Sequence, residues 1–82
     1  AIDTLGWIHC RNGDAAAGLP YLNRALALAP QNPEIQYHLG YALCKSNQPG
    51  AARWHLRLAL RTATPFPWTA EAKALLASLP AQ

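Results

Sequence analysis

The sequence predicts an all-α protein, an α-solenoid of stacked helix-turn-helix hairpins with about five helices. Three observations carry that expectation. Alanine and leucine dominate, valine is missing, and isoleucine occurs only at Ile2, Ile8 and Ile35. Strand-favouring β-branched residues are therefore scarce and good helix formers abundant. The chain also matches itself at a shift of 34 residues, which puts Leu5-Gly6-Trp7 on Leu39-Gly40-Tyr41, Cys10 on Cys44 and Leu22 on Leu56. The same register sets Ala17 on Ala51, Ala25-Leu26 on Ala59-Leu60, Ala29 on Ala63 and Pro33 on Pro67. A fixed period of about 20–50 residues marks units that bury their apolar faces by stacking on one another. Finally, glycine, proline and asparagine punctuate the chain at hairpin-length intervals.

The first helix covers about Ile2 to Arg11 and stops at Asn12-Gly13, where glycine accepts the left-handed conformation. Asp14 is a good N-cap for the second, which runs to about Leu28. Pro20 falls inside it, removes one backbone hydrogen bond and costs about 3 kcal/mol unless the helix bends. Gly18 eases such a bend, so a kink is expected near Ala16–Pro20. Ala29-Pro30-Gln31-Asn32 forms a turn, and Asn32-Pro33-Glu34 reopens helix with an N-cap, a first-position proline and an acid in the first turn. This third helix reaches Lys45 or Ser46. Asn47-Gln48 breaks it, and Pro49 starts a fourth that lasts to about Arg61. Thr64-Pro65-Phe66-Pro67 is the next breaker, before a last helix from about Trp68 to Leu79.

These residues resemble the tetratricopeptide repeat, whose pattern is W-x2-L-G-x2-Y, then A-x3-F, A and P. The first copy reads Ile2-x2-Leu5-Gly6-x2-His9, Gly18-x3-Leu22-x2-Ala25 and Pro30. The second reads Gln36-x2-Leu39-Gly40-x2-Leu43 and Ala52-x3-Leu56-x2-Ala59. The departures are His9 and Leu43 for tyrosine, Gln36 for the large apolar opener and Thr64 for the closing proline; none removes a small residue from a tight contact. The resemblance implies a right-handed solenoid in one domain, 1–82. Residues 1–32 are the first repeat, cut short at its N-terminus, 33–66 the second, and 67–82 a capping helix. Gly6, Gly18, Gly40, Ala25, Ala52 and Ala59 are expected where helices approach closely, with Leu5, Leu22, Leu39 and Leu56 filling the space between.

In this family the first helices of successive hairpins line a concave groove for peptides. The groove positions implied here are Asp3, Trp7, Cys10 and Arg11, then Glu34, Tyr37, Tyr41, Cys44 and Lys45, with Trp68, Glu71 and Leu75 from the cap. Aromatics flanked by both charge signs suit recognition, since they bury area at low entropy cost; Trp7 and Tyr41 could equally pack against neighbouring first helices. Members that grip a terminal carboxylate use lysine and asparagine where this chain has Asp3, Tyr37, Trp7 and Tyr41. The resemblance therefore speaks against an acidic chaperone tail. The expected function is a non-catalytic protein-interaction module, the alternative a C-terminal structural cap of a longer assembly protein.

Composition and spacing exclude other classes. The 82 residues carry a net charge of +3 with 13% charged residues, a mild excess that does not make a nucleic-acid surface. Arg53, Arg57 and Arg61 form a four-residue-spaced stripe on the fourth helix, expected to be a solvated convex face. Cys10 and Cys44 sit at equivalent points of neighbouring helices whose axes lie about 8–10 Å apart, whereas a disulfide needs Cα atoms within about 7 Å. They are expected to be free thiols. His9, His38 and His55 show no ligand spacing with them, so no metal or cofactor is expected. No paired carboxylates, Cys–His nucleophile or phosphate-binding loop occurs, and no run of about 18 apolar residues could cross a membrane.

The chain opens inside its own repeat and is expected to be a piece of a longer protein. Pro33 to Gly40 and Glu71 to Leu76 also resemble, more loosely, the last repeats of bacterial tetratricopeptide lipoproteins of exopolysaccharide export and protein sorting, which implies an envelope-associated parent. Ala1, Thr4 and Ile8 would form an open apolar face, prone to homodimerise there or through an exchanged terminal helix.

Overall fold

The computed structural model describes residues 2–62 and 65–80. Ala1, expected on the open face, Ala63, aligned with Ala29, and Thr64, expected in the third breaker, lie outside the described residues. Five helices follow in order: α1 (Ile2–Arg11), α2 (Ala15–Leu28), α3 (Pro33–Lys45), α4 (Pro49–Leu60) and α5 (Thr69–Ser78). α1 pairs with α2 and α3 with α4 as two hairpins; α3 also docks on α2, α5 on α4, and α1 lightly on α3. The stack measures 26 × 26 × 18 Å. It is the all-α hairpin arrangement that the period implies.

Local chemistry sets the helix ends. Asp14 Oδ1 accepts the Ala17 amide at 3.2 Å, and Asn32 Oδ1 accepts those of Glu34 and Ile35 at 2.9 and 3.3 Å, which satisfies donors that a helix N-terminus leaves free. The two hairpin turns are the same turn. Gly13 has φ +84° and Asn47, 34 residues on, has φ +62°. In the first turn the Asp14 amide donates to His9 O at 2.9 Å, and in the second the Gln48 amide donates to Leu43 O at 2.9 Å. Asparagine is the side chain that best tolerates the conformation glycine takes freely, so the repeat survives the substitution.

The small residues sit where helices meet. A Cβ on Gly6 would lie 2.7 Å from Leu22 Cγ, one on Gly40 2.8 Å from Leu56 Cγ, and one on Gly18 2.6 Å from the Gly6 carbonyl oxygen. Ala25, Ala52 and Ala59 are buried, and Leu22, Leu39 and Leu56 are the largest fully buried side chains.

Two expectations need correction. Leu5 does not fill an interhelical space: it is 49% exposed, whereas Leu39, its equivalent, is 1% exposed. α3 has α2 packed on that side and α1 has no such neighbour among the described residues. Arg53 is not part of a solvated stripe. It is 8% exposed, and its guanidinium donates to the Pro80 carbonyl, so the chain after α5 closes over it; Arg57 and Arg61 remain exposed. α2 runs unbroken through Pro20, inside the stretch where a bend is expected. Both Ala16, whose carbonyl loses its partner, and Pro20 are exposed, so water can take the place of the lost hydrogen bond.

Candidate functional site

The implied groove residues come from α1, α3 and the start of the cap. Helical spacing puts Asp3, Trp7 and Arg11 along one side of α1, and Glu34, Tyr37, Tyr41 and Lys45 along the matching side of α3. Trp68, the N-cap residue of α5, is brought to both by the docking of the cap on α4.

Four aromatic rings from these elements meet. The Trp7 ring lies edge-on to Tyr41 at 5.0 Å and to Trp68 at 5.6 Å between centroids, and tilted against Tyr37 at 5.8 Å. Tyr37 stacks on Trp68 at 5.5 Å with 14° between planes. Offset and edge-on pairs of this kind are favourable beyond the area they bury, by about 0.5–1.5 kcal/mol each. Trp7, Tyr41 and Trp68 stay partly exposed, but Tyr37 is 4% exposed and forms the floor of the cluster. Burial, with the Glu71 carboxylate and Tyr41 adding to it and Arg11 opposing, pushes the Tyr37 phenol above its usual range, so it stays a neutral donor at physiological pH.

The charged residues divide by role. Arg11 lies over the Trp7 ring at 5.6 Å and Lys45 over the Tyr41 ring at 5.5 Å, contacts worth about 0.5–1 kcal/mol at exposed sites. Glu34 Oε2 accepts the Trp68 indole N–H at 2.9 Å and so ties the cap to α3. Asp3 turns inward, with Oδ1 2.8 Å from His38 Nδ1. Glu71 is exposed and Leu75 packs partly buried under the cluster. Cys10 is buried, and Cys44 is partly buried against the same core; both thiols are free. Burial pushes the Cys10 thiol up.

One member of the cluster had no signal in the sequence. His38 is 4% exposed and stacks on Trp7 at 4.2 Å with 17° between planes. Through Asp3 and Trp7 it joins α1 to α3 across 35 residues, and its Nε2 has no hydrogen-bond partner. The other two histidines go elsewhere: His9 stacks on Tyr21, and His55 Nδ1 lies 2.7 Å from Gln36 Oε1. Among the described residues, no three of His, Cys, Asp and Glu converge as a metal site would require, and no helix is long and apolar enough to cross a membrane.

The arrangement offers a preassembled aromatic surface with two cations at its edge. No curated protein and no solved structure matches the chain, whereas the family model described as tetratricopeptide repeat matches residues 11–79. That match runs from the last residue of α1 through α2, α3, α4 and α5, and the close packing of Gly18 and of Gly40 against Leu56 lies within it; the chain belongs to the tetratricopeptide repeat family.

Proposed function

We propose that the chain is a non-catalytic interaction module that holds a partner peptide on the face shared by α1, α3 and the start of the cap. The observation that carries this reading is the partly exposed ring set Trp7, Tyr41 and Trp68, assembled from three separate segments and held by the Glu34–Trp68 and Asp3–His38 hydrogen bonds. A rigid aromatic surface spares the protein most of the ordering cost of binding, which then falls on the partner segment. Tyr37 acts within this reading as a support for Trp68 and not as a contact. Glu71 and Leu75 extend the face along α5.

The test is a titration of the 82-residue chain with peptides, read by tryptophan emission. Trp54 lies off this face on α4 and is 62% exposed, so a Trp54→Phe background leaves Trp7 and Trp68 as reporters. Saturable emission changes that vanish in Tyr41→Ala support the reading. A broad peptide set that leaves both tryptophans unmoved rejects it.

A second reading has an observation of its own. Leu5 and Ile8 are each 49% exposed on α1, while Leu39 and Ala42, their equivalents on α3, are buried under α2. That α1 face suits a further helical hairpin, from a second copy or a longer assembly, in the manner of a structural cap. Sedimentation that finds a strict monomer at high concentration, unaffected by Leu5→Glu, counts against the self-association form of it.

A further inference from the structure

The second helices of the two hairpins show different outer sides to solvent. On α4 that side carries Trp54, Arg57 and Arg61, where the 34-residue register puts Pro20, Asn23 and Ala27 on α2. All six residues are exposed. Stacking therefore asks for neither set, and what α4 presents there has no part in holding the hairpins together.

The α4 residues form one arc. At 3.6 residues per turn, Arg57 and Arg61 take one edge of it, Ala51 and Leu58 the other, and Trp54 the middle, all within about 120° of the helix circumference. Buried Ala52, Leu56 and Ala59 lie on the opposite side. Trp7 and Trp68 share the groove cluster, whereas Trp54 stands 62% exposed.

No acid balances the two arginines. Neither α2 nor α4 contains aspartate or glutamate, and the four acids of the chain are placed elsewhere. Asp3 faces His38, Asp14 caps α2, Glu34 holds Trp68, and Glu71 lies on α5. Neither Arg57 nor Arg61 forms an ion pair among the described residues, where the one close pair is His38 with Asp3. They stand four residues apart, a spacing at which like charges repel. The carbonyl end of α4 offsets about half a unit of charge against their two, so the arc stays positive. An ordinary solvated face intersperses both signs; this one joins unopposed cations to an open indole.

We propose that this arc of α4 docks peripherally on an anionic lipid bilayer. The proposal goes beyond the groove reading and does not rest on it. An indole, with an apolar body and a polar N–H, is favoured at the membrane–water boundary. Trp54 takes that level with Ala51 and Leu58 beside it, and the arginines extend from the other edge to lipid phosphates. A single-stranded nucleic acid fits less well, because it binds by stacking successive bases on several rings and the arc has one. The groove residues lie on α1, α3 and the cap, so a chain docked through α4 keeps them free for a peptide.

The test is flotation of the 82-residue chain with phosphatidylcholine vesicles, with and without phosphatidylserine, at low ionic strength, where charge attraction is least screened. The chain should float only with the phosphatidylserine vesicles. Arg57→Gln should weaken that partition about fivefold and Arg57→Gln/Arg61→Gln about 25-fold. Lys73→Gln, on exposed α5 surface, should leave it close to wild type. Lipids brominated in the acyl chain should quench the emission of the wild type but not that of Trp54→Phe. Thermal unfolding of every variant should keep the wild-type midpoint, as exposed substitutions do. Equal flotation with both vesicles, or with neither, overturns the proposal. So does a loss in Lys73→Gln as large as that in Arg57→Gln, which would make the attraction one of net charge alone. A single-stranded oligonucleotide that binds more tightly than the vesicles, and loses its affinity in the double variant, assigns the arc to nucleic acid instead. None of these outcomes touches the groove reading, which the peptide titration decides.

Discussion

Replacing Gly18 by alanine tests the packing of the first hairpin directly. The new Cβ would lie 2.6 Å from the Gly6 carbonyl oxygen, 3.0 Å from Cys10 Sγ and 3.4 Å from His9 Cβ. A carbon–oxygen contact across packed helices settles at about 3.3 Å or more, so α1 and α2 must part by roughly 0.7 Å. The nearest atom is backbone and cannot swing aside as the Leu22 side chain can beside Gly6. Overpacking of this kind costs about 1–3 kcal/mol, and the better helix propensity of alanine returns about 1 kcal/mol. The net expectation is a loss of about 1 kcal/mol, or a Tm lower by about 4–8 °C in a chain this short. The second hairpin bounds the effect from above, since Ala52 occupies the equivalent place there and is fully buried. Urea unfolding followed by far-ultraviolet circular dichroism measures the difference. Gly50→Ala, with nothing within 4 Å of its Cβ, is the control and should be neutral or slightly stabilising. A Gly18→Ala protein as stable as the wild type would refute the close-approach reasoning.

The remaining expectations concern groups whose neighbours the fold supplies. Burial lowers the His55 pKa below 6.5, so the unfolded chain takes up the proton first as pH falls. Stability is then full above about pH 6.5 and declines below it until the folded pKa is passed; urea midpoints from pH 8 to 5 should show that decline, and His55→Gln should flatten it. Arg53→Ala removes a charged donor from the Pro80 carbonyl and should cost about 1–3 kcal/mol, against about 0.5 kcal/mol or less for exposed Arg57→Ala; equal losses on thermal unfolding would contradict the buried placement. In iodoacetamide labelling read by mass spectrometry, Cys44 should react first. The buried Cys10 has its thiol pushed up and should react only as the hairpin opens; equal rates for both would count against it.

The local features of this fold were legible because each depends on residues within a few positions of one another. Asp14 and Asn32 cap the helices they precede, Pro33 and Pro49 open theirs, and Gly13 and Asn47 take the positive φ that ends a hairpin's first helix. The period added which small residues must face which large ones, and Gly6, Gly18 and Gly40 meet the partners that stacking requires. The groove aromatics could be named from the same register. That Tyr37 would be shut beneath Trp68 while Tyr41 stayed open could not, because it depends on the cap, which lies outside the two repeats.

Tertiary structure alone decided which faces are covered. Arg53, Arg57 and Arg61 look like one stripe, but each four-residue step turns about 40° around the helix, and that rotation carries Arg53 under the end of the chain while the other two stay in water. His38 and Asp3 are 35 residues apart and meet only because α1 lies against α3. The same limit shows most plainly at Leu5 and Leu39. They are one residue type at one position of one repeat, and they differ because one has a helix packed on it and the other does not. A repeating sequence determines the shape of each unit and the surface it offers for stacking. Whether that surface becomes core or remains open for contact depends on the neighbour, which no single repeat encodes.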